Sequence, residues 1–185
     1  MSLSDLKAKA LDVLHEDFDP DLNCELKLEQ TFEKHPLKDE NQPIALFSFQ
    51  PNEEDRFFVF VGDVLPMIYP NYDLTPEELW SVHIGMEYFI KMGVVEDPDR
   101  KSPRFLAYLK MVSTVFQEQL YIYKPDTVKI EKVYMLNNQR HIVGYASFDD
   151  KKYSWIVGDI PHFIYKKELP PQIIWSLHMG RILMT

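Results

Sequence analysis

Val61-Gly62-Asp63-Val64 and, further along, Val157-Gly158-Asp159-Ile160 are nearly the same phrase, and the resemblance continues downstream of each. Met67-Ile68-Tyr69 returns as Phe163-Ile164-Tyr165, and Leu74-Thr75-Pro76 as Leu169-Pro170-Pro171. Leu79-Trp80-Ser81-Val82-His83-Ile84-Gly85 returns as Ile174-Trp175-Ser176-Leu177-His178-Met179-Gly180. Eleven of these positions are identical, and a single gap between Tyr69 and Leu74, where a loop can absorb it, keeps them in step. Tryptophan, histidine and two glycines are among the identities; residues this uncommon rarely recur in order by chance. The pattern reads as an internal duplication.

Working upstream, Ala45-Leu46-Phe47-Ser48-Phe49 parallels Gly144-Tyr145-Ala146-Ser147-Phe148. A charged turn and a further apolar strand follow each, at Phe57 to Val61 and at Tyr153 to Val157. Cys24-Glu25-Leu26-Lys27-Leu28-Glu29 and Val128-Lys129-Ile130-Glu131 alternate apolar and polar residues, as half-buried strands do. The link after the first is Lys38 to Pro43; after the second it is Asn137-Asn138-Gln139, a hairpin turn, because asparagine tolerates the left-handed backbone.

A helix opens each copy. Leu6, Ala10, Val13 and Leu14 share one face in the first; Leu106, Leu109, Val112, Val115 and Phe116 do so in the second, after Ser102-Pro103 as a start signal. A helix also closes each copy. Thr75-Pro76-Glu77-Glu78 carries the capping-box pattern, whereas Pro170 stands in place of the threonine in the second copy. The expected fold is therefore α+β: a tandem α-β-β-β-α unit with six strands in mainly antiparallel sheets, four main helices packed on them, and a pseudo-two-fold relation. The first repeat would span residues 1–95 and the second 102–185, with a short seam from Gly93 to Arg104.

The bulk properties narrow the function classes. The chain of 185 residues is 45% hydrophobic and 14% aromatic, which fits a well-packed globule rather than a disordered chain. A formal charge of −9 with scattered basic residues argues against nucleic acid and anionic membrane as partners. Cys24 is the sole cysteine, so neither an internal disulfide nor a cysteine-built zinc site can form. The first residues lack the basic and apolar segments of a secretory signal, and the expected location is the cytoplasm. No Gly-x-Ser-x-Gly elbow, P-loop or Gly-x-Gly-x-x-Gly is present, and no cofactor is expected.

The repeated residues supply the candidate site. Asp63 and Asp159 follow glycines at strand ends, where they serve a turn or stand as free carboxylates. Trp80 with His83, and Trp175 with His178, are three apart and so neighbours on a helix surface. These positions are read first as packing. In the alternative, His83, His178, Asp63 and Asp159 converge as two imidazoles and two carboxylates for metal-dependent or acid–base chemistry. The apolar segments Leu65 to Tyr72 and Pro161 to Tyr165 link strand to helix as loops, and Tyr69 and Tyr165 would anchor a partner if exposed. His15, His35, His141 and His162 lack counterparts and are expected at the surface or at edges. The function expected from these features is a non-catalytic binding, adaptor or chaperone-like protein that holds a protein or peptide.

Overall fold

Local sequence chemistry sets several of the element boundaries. Ser2 Oγ accepts from Asp5 N at 3.2 Å while Ser2 N donates to the Asp5 carboxylate at 2.7 Å, a capping box that starts α1 (Leu3–Asp17). Thr75 and Glu78 exchange the same pair of bonds, at 3.1 and 3.2 Å, ahead of α2 (Pro76–Met92). Pro170 leaves α4 (Pro171–Met184) with no side-chain cap. Asn137 and Asn138 both take positive φ, 50° and 65°, so the chain reverses tightly between β6 (Thr127–Leu136) and β7 (Gln139–Phe148).

The computed structural model describes residues 1–40, 42–98 and 104–185. The expected start signal Ser102-Pro103 and much of the seam lie outside them. The described residues form an α+β structure with four helices and two antiparallel sheets of four and five strands. None of these helices is long and apolar enough to cross a membrane. The chain divides into two compact units, residues 1–84 and residues 85–183, with Met184 grouped with the first and Thr185 with the second. The division falls within α2.

In the first unit β1 (Lys27–Phe32), β2 (Ile44–Phe49), β3 (Phe57–Gly62) and β4 (Met67–Pro70) lie side by side in chain order. Leu6, Ala10 and Leu14 recur every fourth residue, and this stripe of α1 packs on Ala45, Phe47, Phe49, Val59 and Val61. Every residue of β2 is buried, because the opposite sheet face is covered as well, by Trp80 and His83 of α2 against Phe32, Phe60 and Tyr69.

The second unit has α3 (Arg104–Leu120), then β6, β7, β8 (Lys151–Gly158) and β9 (Phe163–Tyr165), then α4. A short strand β5 (Val95–Glu96) precedes α3 and adds to the outer edge of β6. Phe105, Val112, Val115 and Phe116 of α3 pack on Ile142, Ala146, Trp155 and Val157. Helix α4 is buried all round from Ile173 to Gly180, as an apolar helix without a polar face must be.

The described residues form nine strands where six were expected. Of the three additional strands, β5 lies in the seam, and β4 and β9 are the segments read as aromatic loops. They pair antiparallel with β3 and β8, setting Tyr69 opposite Phe58 and Tyr165 opposite Ser154. Three or four residues are too few to display a period of two, and Pro70 is tolerated because β4 is an edge strand. The register also corrects the expected strand alignment. Ile44 stands opposite Gly62 and His141 opposite Gly158, so Phe47 occupies the register position of Gly144, not of Ala146. The loop between β2 and β3 is longer than the Asp149-Asp150 turn, which hid the offset.

Candidate functional site

Within the first unit, α2 lays Trp80 and His83 parallel, with rings 5.8 Å apart and inclined by 11°. Phe32 stacks on Trp80 at 4.8 Å, and Phe60 lies 4.5 Å from His83. Tyr69 comes from β4, and its hydroxyl meets His83 Nδ1 at 3.0 Å with Met67 Sδ 3.1 Å away.

The second unit builds the corresponding pair with a defined proton arrangement. His178 Nε2 lies 2.7 Å from the carbonyl of Pro161, which can only accept, so Nε2 carries the proton. Burial holds the His178 pKa down at about 4, against the Pro161 bond that favours the charged ring, and with nearby Arg181, His141 and His162 reinforcing the depression. The ring is therefore neutral at pH 7, its Nδ1 is a lone pair, and the Tyr165 hydroxyl donates to it at 3.1 Å. Arg181 covers the Tyr165 ring at 5.3 Å.

A phenol hydrogen-bonded to a neutral imidazole can pass a proton. Here, however, Tyr69 and Tyr165 are 4% and 6% exposed, His83 is fully buried and His178 is 5% exposed. In each unit the tyrosine hydroxyl and the histidine Nδ1 are spent on one another inside the core. Burial also removes both tyrosines from any surface patch.

Asp63 and Asp159 are engaged in turns. Gly62 and Gly158 have φ of +117° and +116°, and a Cβ at either would lie 2.2 Å from a backbone oxygen, of Pro43 and Arg140 respectively. Only glycine fits there. Lys38 Nζ then donates to Asp63 Oδ1 at 2.8 Å, and Arg140 N to Asp159 Oδ2 at 2.9 Å.

Two of the histidines expected at the surface or at edges are buried: His35 is 1% exposed and His141 2%. Each serves as wall material for its unit's tryptophan. His35 meets Trp80 edge-on at 5.8 Å; His141 stacks near Trp175, whose Nε1 donates to His141 Nδ1 at 3.0 Å. Burial lowers the His141 pKa against the opposing charge of Asp159. Neither histidine repeats, so internal similarity does not single them out.

Another feature that similarity did not single out does repeat. β1 carries a bulge between Leu28 and Gln30, and β6 one between Ile130 and Lys132, so the residue left out of register is glutamate in both. Lys27 pairs with Glu29 at 3.5 Å and Lys129 with Glu131 at 2.9 Å. Burial works against the charge on Glu29, but bonds from Ser48 and Arg56 outweigh it and hold its pKa below the usual carboxylate range. Beside it lies a polar cleft of about 590 Å³ lined by Lys27, Ser48 and Arg56.

At the other end of β1 is a more apolar cleft of about 420 Å³, formed by Met1, Leu3, Leu6, Phe32 and Pro43 with Thr31 and Glu33 on its rim. Met1 and Leu3 are about half exposed, at 52% and 50%. Among the described residues, no group of three or more His, Cys, Asp or Glu side chains is placed to hold a metal ion. No protein-family model, curated protein or solved structure matches the chain.

Proposed function

We propose that the chain is a tandem duplication of one helix–sheet–helix unit and acts as a non-catalytic binding or adaptor module for a protein or peptide partner. The observation that carries this reading is the open apolar cleft of the first unit, bounded by Met1, Leu3 and Phe32 beside an edge strand. Exposed apolar surface bordered by polar residues is a feature of recognition sites. The recurring tyrosine hydroxyls, histidine Nδ1 atoms and aspartate carboxylates support the reading indirectly, because they bond within their own units. The acid–base alternative built on His83, His178, Asp63 and Asp159 draws no comparable support, since both imidazoles are buried against tyrosine.

Selection of a displayed random-peptide library on the full chain tests the proposal. Enrichment of peptides with recurrent apolar residues is expected, with binding unaffected by a chelator. Failure to enrich any peptide would overturn it.

A further inference from the structure

Strand β5 provides a template for what the cleft of the first unit accepts. Val95 stands opposite Met135 and Glu96 opposite Tyr134, and Asp97 N donates to Val133 O at 2.8 Å. The outer edge of β6 at Val133–Met135 is thereby covered by a short antiparallel segment.

The bulged glutamates identify the same place on β1. Counting outward from Glu131, Val133, Tyr134 and Met135 lie two, three and four residues on; counting from Glu29, those steps reach Thr31, Phe32 and Glu33. All three border the apolar cleft. β1 is an edge strand of its sheet, so no strand among the described residues covers this stretch. An uncovered edge offers backbone donors and acceptors, and an apolar recess beside it offers a seat for a side chain; together these are the requirements for strand addition.

We infer that the outer edge of β1 at Thr31–Glu33 takes up an extended segment of a partner protein as an added antiparallel strand, with one apolar side chain seated between Leu3, Leu6 and Pro43. The inference rests on the binding reading above and specifies its site and mode. In the second unit Val94, 8% exposed, is the buried apolar residue of this segment while Val95 is 59% exposed, and the acidic residues that follow meet Lys132 at 2.6 Å and Arg140 at 3.5 Å. At those register positions the first unit has Gln30 and Pro43, so no acidic residue is required of the partner.

The probe is a synthetic peptide copying residues 93–98, Gly-Val-Val-Glu-Asp-Pro, added to the isotopically labelled full chain. Amide shifts are expected at residues 31–33 and at Leu3 and Leu6, saturating in the millimolar range for so short a peptide. A copy N-methylated at alternate backbone nitrogens keeps every side chain but loses donors, and should bind at least tenfold more weakly. Leu3→Glu, at a half-exposed helix start, should abolish the shifts while leaving the rest of the spectrum intact. Equal binding of the methylated copy would overturn strand addition, as would no shift at 31–33. Concentration-dependent shifts at those amides without peptide would also overturn it, by making a second copy the occupant. If library-selected peptides bind but map elsewhere, the edge assignment fails and the binding reading stands; if none binds anywhere, both fail.

Discussion

A single imidazole shows how much of this chemistry is structural. His178 is neutral at pH 7 because its ring is buried, and its two nitrogens are committed to Pro161 and Tyr165. Its folded pKa, about 4, lies below the ordinary 6.5, so the unfolded chain takes up the proton first as pH falls. The stability this provides is complete above pH 6.5 and is lost progressively down to pH 4. Each tenfold change in proton affinity is worth about 1.4 kcal/mol, so the contribution amounts to roughly 3 kcal/mol. His141, displaced in the same direction, adds to the slope. Urea denaturation between pH 7 and 4 should show the loss, and His178→Gln, which can still donate and accept but cannot titrate, should flatten it. An unchanged slope in that variant would contradict the assignment. The repeated histidines, tyrosines and aspartates could be read as candidates from the sequence because they recur. Their burial could not, since it depends on β4 and β9 turning the tyrosines inward. His35 and His141 could be found only once the tryptophans had been placed.

At the scale of elements, the shared glycine of the tryptophan helix has a measurable purpose. A Cβ at Gly85 would lie 1.9 Å from the carbonyl oxygen of Ser176, on α4. Alanine is intrinsically better in a helix by about 1 kcal/mol. Overfilling a packed contact costs about 1 to 3 kcal/mol, and more where the obstacle is backbone that cannot rotate away. The second effect wins, so Gly85→Ala should destabilise despite its better propensity, by about 2 kcal/mol in a denaturant titration. The matching caps give a gentler comparison: Thr75→Ala removes one bond of a capping box and should cost about 1 kcal/mol by the same assay. The start of α2 was readable because its cap is a local pattern of four residues. Short strands were not, because β4, β5 and β9 exist through pairing with a neighbour and leave almost no periodic trace of their own.

For the whole molecule, the expected α+β class holds, and the sheets are antiparallel throughout. The charge of −9 acts on all parts at once: raising ionic strength from low to physiological values should screen the self-repulsion and raise the melting temperature modestly. Scanning calorimetry across a sodium chloride series would detect it. The proposed duplication also carries a hazard, because two similar halves on one chain can exchange strands while folding. The register shows a guard against that. Phe47 faces Val59 across the first sheet, while Gly144 faces Trp155 across the second. Each sheet thus fills its core with one large and one small residue, but on opposite strands. Were β2 to pair with β8, phenylalanine would meet tryptophan where there is room for only one of them. Were β7 to pair with β3, glycine would meet valine across an empty gap. This difference between the two sheets makes each strand a key for its own lock, so refolding can sort similar partners by volume alone.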